Sequence, residues 1–240
     1  MKAEKEKKIT TGQLAQCALV AALAYIGFQF LRVDIPVGTV KTAIHMGNVF
    51  VVMGTLLLGF KGGMAGALGL TLADLTSGYV AYAPETFILK LIMGTITWLV
   101  ASAIRKKEEK NAAEALPEGG STSEGADHTD ADTKGKNAAD ASLPDAEGEK
   151  KGLKQWMKKN GEQGKIALIS SAASLGANVI LDPLFGYFYQ KYIFGIPQDI
   201  SSALAKIASL TTLFNTVVSV ILVTVLWPVL HKALTKSGLI

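Results

Sequence analysis

The chain has 240 residues, 49% of them hydrophobic and 18% charged, with a formal net charge of +4 and a mean hydropathy of +0.31. Of its 20 acidic residues, 13 fall between Glu108 and Glu162, so the remainder is too apolar for an ordinary soluble domain and a membrane protein is expected. The single cysteine, Cys17, lies in an apolar run and excludes an internal disulfide framework. The small positive charge is read as membrane topology rather than as affinity for nucleic acid or another anionic partner.

The N-terminal MKAEKEKK carries no cleavable-signal pattern, since no A-x-A-like site follows the first apolar run. Apolar runs of spanning length are expected near Thr11–Leu31, Thr42–Phe60, Gly62–Val80, Thr86–Ile104, Ile166–Tyr189 and Leu204–Leu230. The fold class is therefore an all-α membrane protein, a bundle of six transmembrane helices. The third run, GGMAGALGLTLADLTSG, is rich in small residues rather than oily ones. Gly59/Gly63, Gly62/Gly66 and Ala65/Gly69 are small-x-x-x-small pairs, so a central helix shielded from lipid is expected. Residues 1–104 supply helices one to four and 165–240 supply helices five and six, in one membrane domain.

Between them, 105–164 is rich in Gly, Ala, Ser, Asp and Glu and poor in aromatics. Such a segment cannot bury enough apolar area to offset its chain entropy, and a disordered charged linker is expected. LKQWMKKNG, near its end, reads as a short basic interfacial helix. With six spans the two termini share a side, and 19 of the 24 basic residues fall on it, which places the termini and the linker in the cytoplasm.

Polar residues then gather at the outer ends of the spans. His45 and Asn48 open the second, Asp74 ends the third, Tyr79 and Tyr82 follow it, and Glu85 and Lys90 begin the fourth. Asn178, Asp182 and Tyr187 lie on the fifth, and Thr211, Thr212 and Asn215 on the sixth. Ionisable groups near the membrane interior are costly and mark functional sites. If the bundle closes on one cavity, tyrosines and a few polar groups there suit a small heteroaromatic molecule. Duller readings stand beside this one. Tyr79, Tyr82, Tyr187, Tyr189 and Tyr192 include an outer aromatic belt, Asp182 before Pro183 marks a helix break, and Glu85 after Pro84 suits a helix start. Asp74 needs a partner, for which Lys90 or a ligand is the candidate. G-x-S-x-G, H-E-x-x-H and G-x-x-x-x-G-K-[ST] are all absent, and His45, His128 and His231 lie too far apart for a metal site, so no catalytic residue, metal or cofactor is assigned.

VKTAIHMGNVFVVMGTLLLGFKGGMAGALGLTLADL and GYVAYAPETFILKLIMG carry a further signal. In this order, the IH-x-G-N start, the LLLG turn, the glycine-rich helix and the LADL-x-SGY that follows resemble the riboflavin-type branch of the S components of energy-coupling-factor (ECF) vitamin transporters. The resemblance covers the six spans and not the linker. It implies a multi-pass protein of the cytoplasmic membrane that captures a vitamin or vitamin precursor from outside. It further implies partnership with a membrane scaffold subunit, the T component, and two cytoplasmic ATPases, delivery by toppling within the bilayer, and a gating first outer loop, Leu31 to Lys41. Lys41, His45 and Asn48 then stand at the mouth of the pocket. Ala18 and Ala22, with Ala15 on the same face, match the family's scaffold-docking spacing; ordinary small-residue packing is the alternative. Riboflavin, pyridoxine, thiamine and its hydroxymethylpyrimidine part all fit such a cleft. Two other readings remain at this point: a membrane-embedded enzyme using Asp74, Glu85 and Asp182, and a membrane scaffold without a ligand.

Overall fold

The structure is a computed structural model that describes residues 9–37, 40–114 and 146–238, with the side chains of 37, 40, 41, 112 and 146–160 outside the description. Six helices account for nearly all of it: α1 (Thr11–Gln29), α2 (Gly47–Leu58), α3 (Phe60–Thr76), α4 (Ala83–Glu114), α5 (Ala146–Phe188) and α6 (Gln198–Lys236). Between α1 and α2 stand two strands, β1 (Arg32–Val37) and β2 (Val40–His45). Four of the helices are long and apolar enough to cross a membrane, namely α1, α4, α5 and α6.

The second expected span is thus corrected. It does not begin as helix at Thr42, because VKTAIH pairs antiparallel with RVDIPV, Arg32 opposite His45 and Pro36 opposite Lys41. β-branched residues alternate through both segments and favour the pleated chain. Outside that hairpin the described residues form a helical, membrane-type bundle, as expected. The helix that remains, α2, has 12 residues and rises about 18 Å, short of a hydrocarbon core of about 30 Å. α3, with 17 residues, also falls just below spanning length.

α1 starts at a full capping box. The Thr10 hydroxyl accepts from Gln13 N–H at 3.2 Å, and the Gln13 amide oxygen accepts from Thr10 N–H at 3.4 Å. α2 and α3 form a tight antiparallel pair through Gly59, whose φ of 64° only glycine takes without strain. Small residues set the spacing of the first four helices. A Cβ on Gly62 would lie 1.9 Å from the Gly54 carbonyl oxygen, and one on Gly69 would lie 2.2 Å from that of Ala21. Gly63 and Gly94 meet in the same way between α3 and α4. α3 is therefore central, packed on α1, α2 and α4. It is not fully shielded, since Met64, Leu68, Leu72 and Leu75 are exposed and form one apolar stripe.

The segment expected to be a disordered linker is helical at both ends. α4 runs on to Glu114 and α5 begins at Ala146. Alanine, glutamate and lysine favour helix there, and Lys110 meets Glu114 at 3.6 Å one turn on. Residues 115–145, the rest of that expectation, lie outside the described residues, as do the side chains of the expected interfacial segment up to Asn160.

Candidate small-molecule site

The cavity lies where the C-terminal ends of α1, α3 and α5 meet the N-terminal halves of α2, α4 and α6, with β2 over it. Its volume is about 150 Å³. That admits on the order of ten waters, or a ring system of similar bulk. Phe28, Leu70, Leu89, Leu204 and Ile207 give it apolar walls.

Of the residues singled out from sequence, His45, Asn48, Asp74, Tyr79, Tyr82, Glu85, Lys90, Asn178, Asp182, Thr212 and Asn215 all line this one space. Tyr187 does not. It packs on Phe188 with ring centroids 5.5 Å apart and accepts a hydrogen bond from Lys191 Nζ at 3.3 Å, on another side of α5. The reason is helical phase. Asn178, Asp182, Gly186 and Gln190 line the cavity at a repeat of four, and Tyr187 falls one position, about 100°, away from that row. A repeat of four needs a helix wound more slowly than 3.6 residues per turn. At the end of the row the π-helical turn Tyr189–Ile193 supplies it. Gln190 was missed in the sequence, although its i+8 spacing from Asp182 was visible. Phe28 was missed because it is one more apolar residue in an apolar helix, and Thr86 because a threonine at a helix start is ordinary. The side chain of Lys41 lies outside the described residues.

Asn215 holds the hairpin. Its Oδ1 accepts from the His45 N–H, and its Nδ2 donates to the Ala43 carbonyl, both at 3.0 Å. One side chain of α6 thereby does for the free edge of β2 what a third strand would do. Backbone groups in an apolar surrounding must be satisfied internally. Pro36, opposite Lys41, shares the parity of Asp34 opposite Ala43, so its missing N–H is not asked of the ladder. On the other face, the Tyr79 hydroxyl donates to Asp34 Oδ1 at 3.1 Å, and Arg32 pairs with the same carboxylate at 3.2 Å. Arg32 also lies 5.1 Å from the Phe28 ring and 5.6 Å from that of Tyr79. Asp34 is thus part of the closure. Burial first, and the Asp34 carboxylate next, push the Tyr79 phenol above its ordinary range.

His45 packs edge-on against Phe28, centroids 4.7 Å apart, and its Nδ1 accepts from the Gly47 N–H at 3.1 Å. Burial, then the charges of Lys90 and Arg32, push its pKa down to about 3. It is a neutral imidazole with the proton on Nε2.

Lys90, one of the two candidate partners for Asp74, instead donates its Nζ to Asn178 Oδ1 at 3.3 Å. Asp182 accepts from the Thr212 hydroxyl. Five buried polar atoms around the cavity have no partner: Asn48 Oδ1, Asp74 Oδ2, Glu85 Oε2, Asn178 Nδ2 and Gln190 Oε1. All five side chains are less than 9% exposed. Buried polar groups are ordinarily paired, so this set points at an occupant of the cavity. No group of three or more His, Cys, Asp or Glu fit to hold a metal occurs among the described residues.

Four apolar helices of spanning length, around a cavity lined by both polar and apolar side chains, mark a multi-pass membrane protein. Residues 8–117 match the family model described as ECF-type riboflavin transporter, S component. The match takes in α1 to α4 and the hairpin, and agrees with the resemblance read from the motifs at residues 40–94. No curated protein and no solved structure matches the chain.

Proposed function

We propose that this protein is the high-affinity substrate-binding subunit of an ATP-driven ECF-type importer, multi-pass in the cytoplasmic membrane with both termini inside. It captures a vitamin or vitamin precursor of the riboflavin, pyridoxine, thiamine or hydroxymethylpyrimidine kind and delivers it to the cytoplasm with a T component and two ATPases. It has no catalytic activity of its own. The observation that carries this reading is the set of five partnerless buried polar atoms around one cavity, in a chain whose first half matches the S-component family. Asn48, Asp74, Tyr79, Tyr82, Glu85, Lys90, Asn178, Asp182 and Asn215 contact the substrate, while Lys41 and His45 stand at its entrance and the hairpin is the gate. On the lipid-facing side, Ala15, Ala18 and Ala22 are all exposed on α1 and available to the T component, whereas the neighbouring Ala21 is taken up by Gly69.

Native mass spectrometry of the full chain in mild detergent, purified from rich medium, tests the reading. One vitamin-sized adduct per chain is expected. An empty protein that also fails to bind any of the four vitamin types on titration would overturn it.

A further inference from the structure

We infer that the other end of the bundle carries a second binding site, between α2, α4, α5 and α6, and that its ligand is the headgroup of a zwitterionic phospholipid, a phosphate diester bearing a primary ammonium group. The inference rests on the proposed cytoplasmic side of the termini, which puts this end in the inner leaflet; the cavity under the hairpin takes no part in it.

The shortness of α2 makes the space. α2 ends at Leu58, and the Gly59 turn lies against α4, with the Trp98 ring 3.4 Å from where a Gly59 Cβ would stand. α4 runs on from Trp98 to Glu114, about 24 Å further. Past the end of α2 this leaves a cavity of about 370 Å³, within the range of about 300–1,000 Å³ usual for small-molecule sites. Leu56, Leu57, Ile166 and Trp227 line its apolar side. Its polar side lies at the edge of the hydrocarbon: Arg105 and His231 directly follow the apolar runs that end at Ile104 and Leu230, and Gln163 stands just before the run that starts at Ile166. The polar groups have bonding capacity left over. Arg105 Nη2 donates to the Leu56 carbonyl at 3.0 Å, and the half-buried guanidinium forms no ion pair among the described residues. Its other N–H groups suit phosphate oxygens, which a guanidinium fork binds two at a time. Gln163 Oε1 accepts from Trp227 Nε1 at 3.2 Å, so its Nε2 is the end left to donate. Glu108 and Glu109, one helical turn past Arg105, line the same space with no hydrogen bond among the described residues, and they suit an ammonium group. Glu108 attracts Arg105 electrostatically without pairing with it. His231 packs on the Trp227 ring, centroids 5.5 Å apart. One guanidinium beside two carboxylates repels a headgroup of either single sign and accepts one that carries both. Lys106, Lys107, Glu162, Lys165 and Lys232 flank this level without lining the space.

The test is native mass spectrometry of the full chain in mild detergent, with phosphatidylethanolamine, phosphatidylglycerol or soluble O-phosphoethanolamine added at matched concentrations. Phosphatidylethanolamine is expected to bind at least fivefold more tightly than phosphatidylglycerol, and O-phosphoethanolamine, which has no acyl chains, more weakly than either. Arg105→Gln, which keeps a donor for the Leu56 carbonyl, is expected to weaken phosphatidylethanolamine binding tenfold or more. Should that variant not fold, the double variant Glu108→Gln, Glu109→Gln is expected to bring the two lipids within twofold of each other. A smaller preference in the unaltered chain, or one that neither variant reduces, would overturn the inference. O-phosphoethanolamine binding as tightly as the lipid would overturn the lipid as the source of the headgroup. Variants that leave lipid binding unchanged but lower recovery of the complex with the scaffold subunit would overturn it in favour of a protein partner at this end. A vitamin adduct is read in the same spectrum by its own mass. A vitamin adduct without the lipid preference would overturn this inference alone, whereas the lipid preference without any vitamin adduct would support it and count against the transporter reading.

Discussion

Two side chains decide how the mouth of the cavity is held. Asn215 closes the β2 edge with two hydrogen bonds of 3.0 Å. Asn215→Ala leaves a buried N–H and C=O unpaired, at a cost of about 1–3 kcal/mol in the closed state. Since about 1.4 kcal/mol is tenfold in an equilibrium, ligand release is expected to quicken roughly tenfold, read by stopped-flow fluorescence. Unchanged release would show that α6 does not hold the hairpin shut. His45 makes a second prediction. Its folded pKa of about 3 lies below the ordinary 6.5, so the unfolded chain takes up the proton first. The stability that neutral His45 contributes is fully present above pH 6.5 and is lost as the pH falls from there toward 3. The slope it adds is at most about 1.4 kcal/mol per pH unit. His45→Asn keeps an acceptor for the Gly47 N–H and removes the titrating group. Thermal unfolding of the two proteins between pH 7 and 5 should diverge, with the variant falling less steeply. Parallel curves would place His45 in contact with water.

The elements that position these residues are set by glycine and by helix phase. α3 approaches α1 so closely that a methyl group on Gly69 would lie 2.2 Å from the Ala21 carbonyl oxygen. Backbone, not a flexible side chain, is the obstacle, so the helices must part. Gly69→Ala is expected to destabilise the protein by about 1–3 kcal/mol, measured as a lowered unfolding temperature in detergent. Gly176, with open space where its Cβ would stand, is the matched control and should tolerate alanine with little effect. In α5, the π-helical turn helps bring Gln190 into line with Asn178 and Asp182, while ordinary helical phase carries Tyr187 away. The tyrosines accordingly divide between two roles. Tyr79 and Tyr82 wall the cavity, while Tyr187 and Tyr192 gather around Lys191 outside it.

At the scale of the whole molecule the two ends of the bundle are unlike. One end holds the cavity and the hairpin. At the other, Arg105 donates to the Leu56 carbonyl at 3.0 Å and Trp227 Nε1 donates to Gln163 at 3.2 Å, so α2, α4, α5 and α6 are tied below the site. The outer surface of α1 presents Ala15, Ala18 and Ala22 without bulk. Ala18→Trp is expected to abolish assembly with the scaffold subunit and leave ligand affinity unchanged, because the side chain points away from the cavity. Recovery of the intact complex by affinity purification would remove that face from the docking surface.

The amino-acid sequence alone determined the membrane class, the helical bundle, the close packing of α3 and eleven of the residues that wall the cavity. Each follows from local information: apolar run length, small-residue spacing, and polar groups too costly to place in lipid without a purpose. Tertiary structure decided the rest. VKTAIH reads as the start of a helix until RVDIPV lies beside it and Asn215, some 170 residues further on, pairs its other edge. Asp34 became a closing residue only because Tyr79 and Arg32 converge on it. Lys90 met Asn178 and not Asp74, since the choice between a partner on α5 and one on α3 depends on how both helices pack against α4. These are contacts between distant segments, and no local pattern in a single chain encodes which of several compatible partners the fold will bring together.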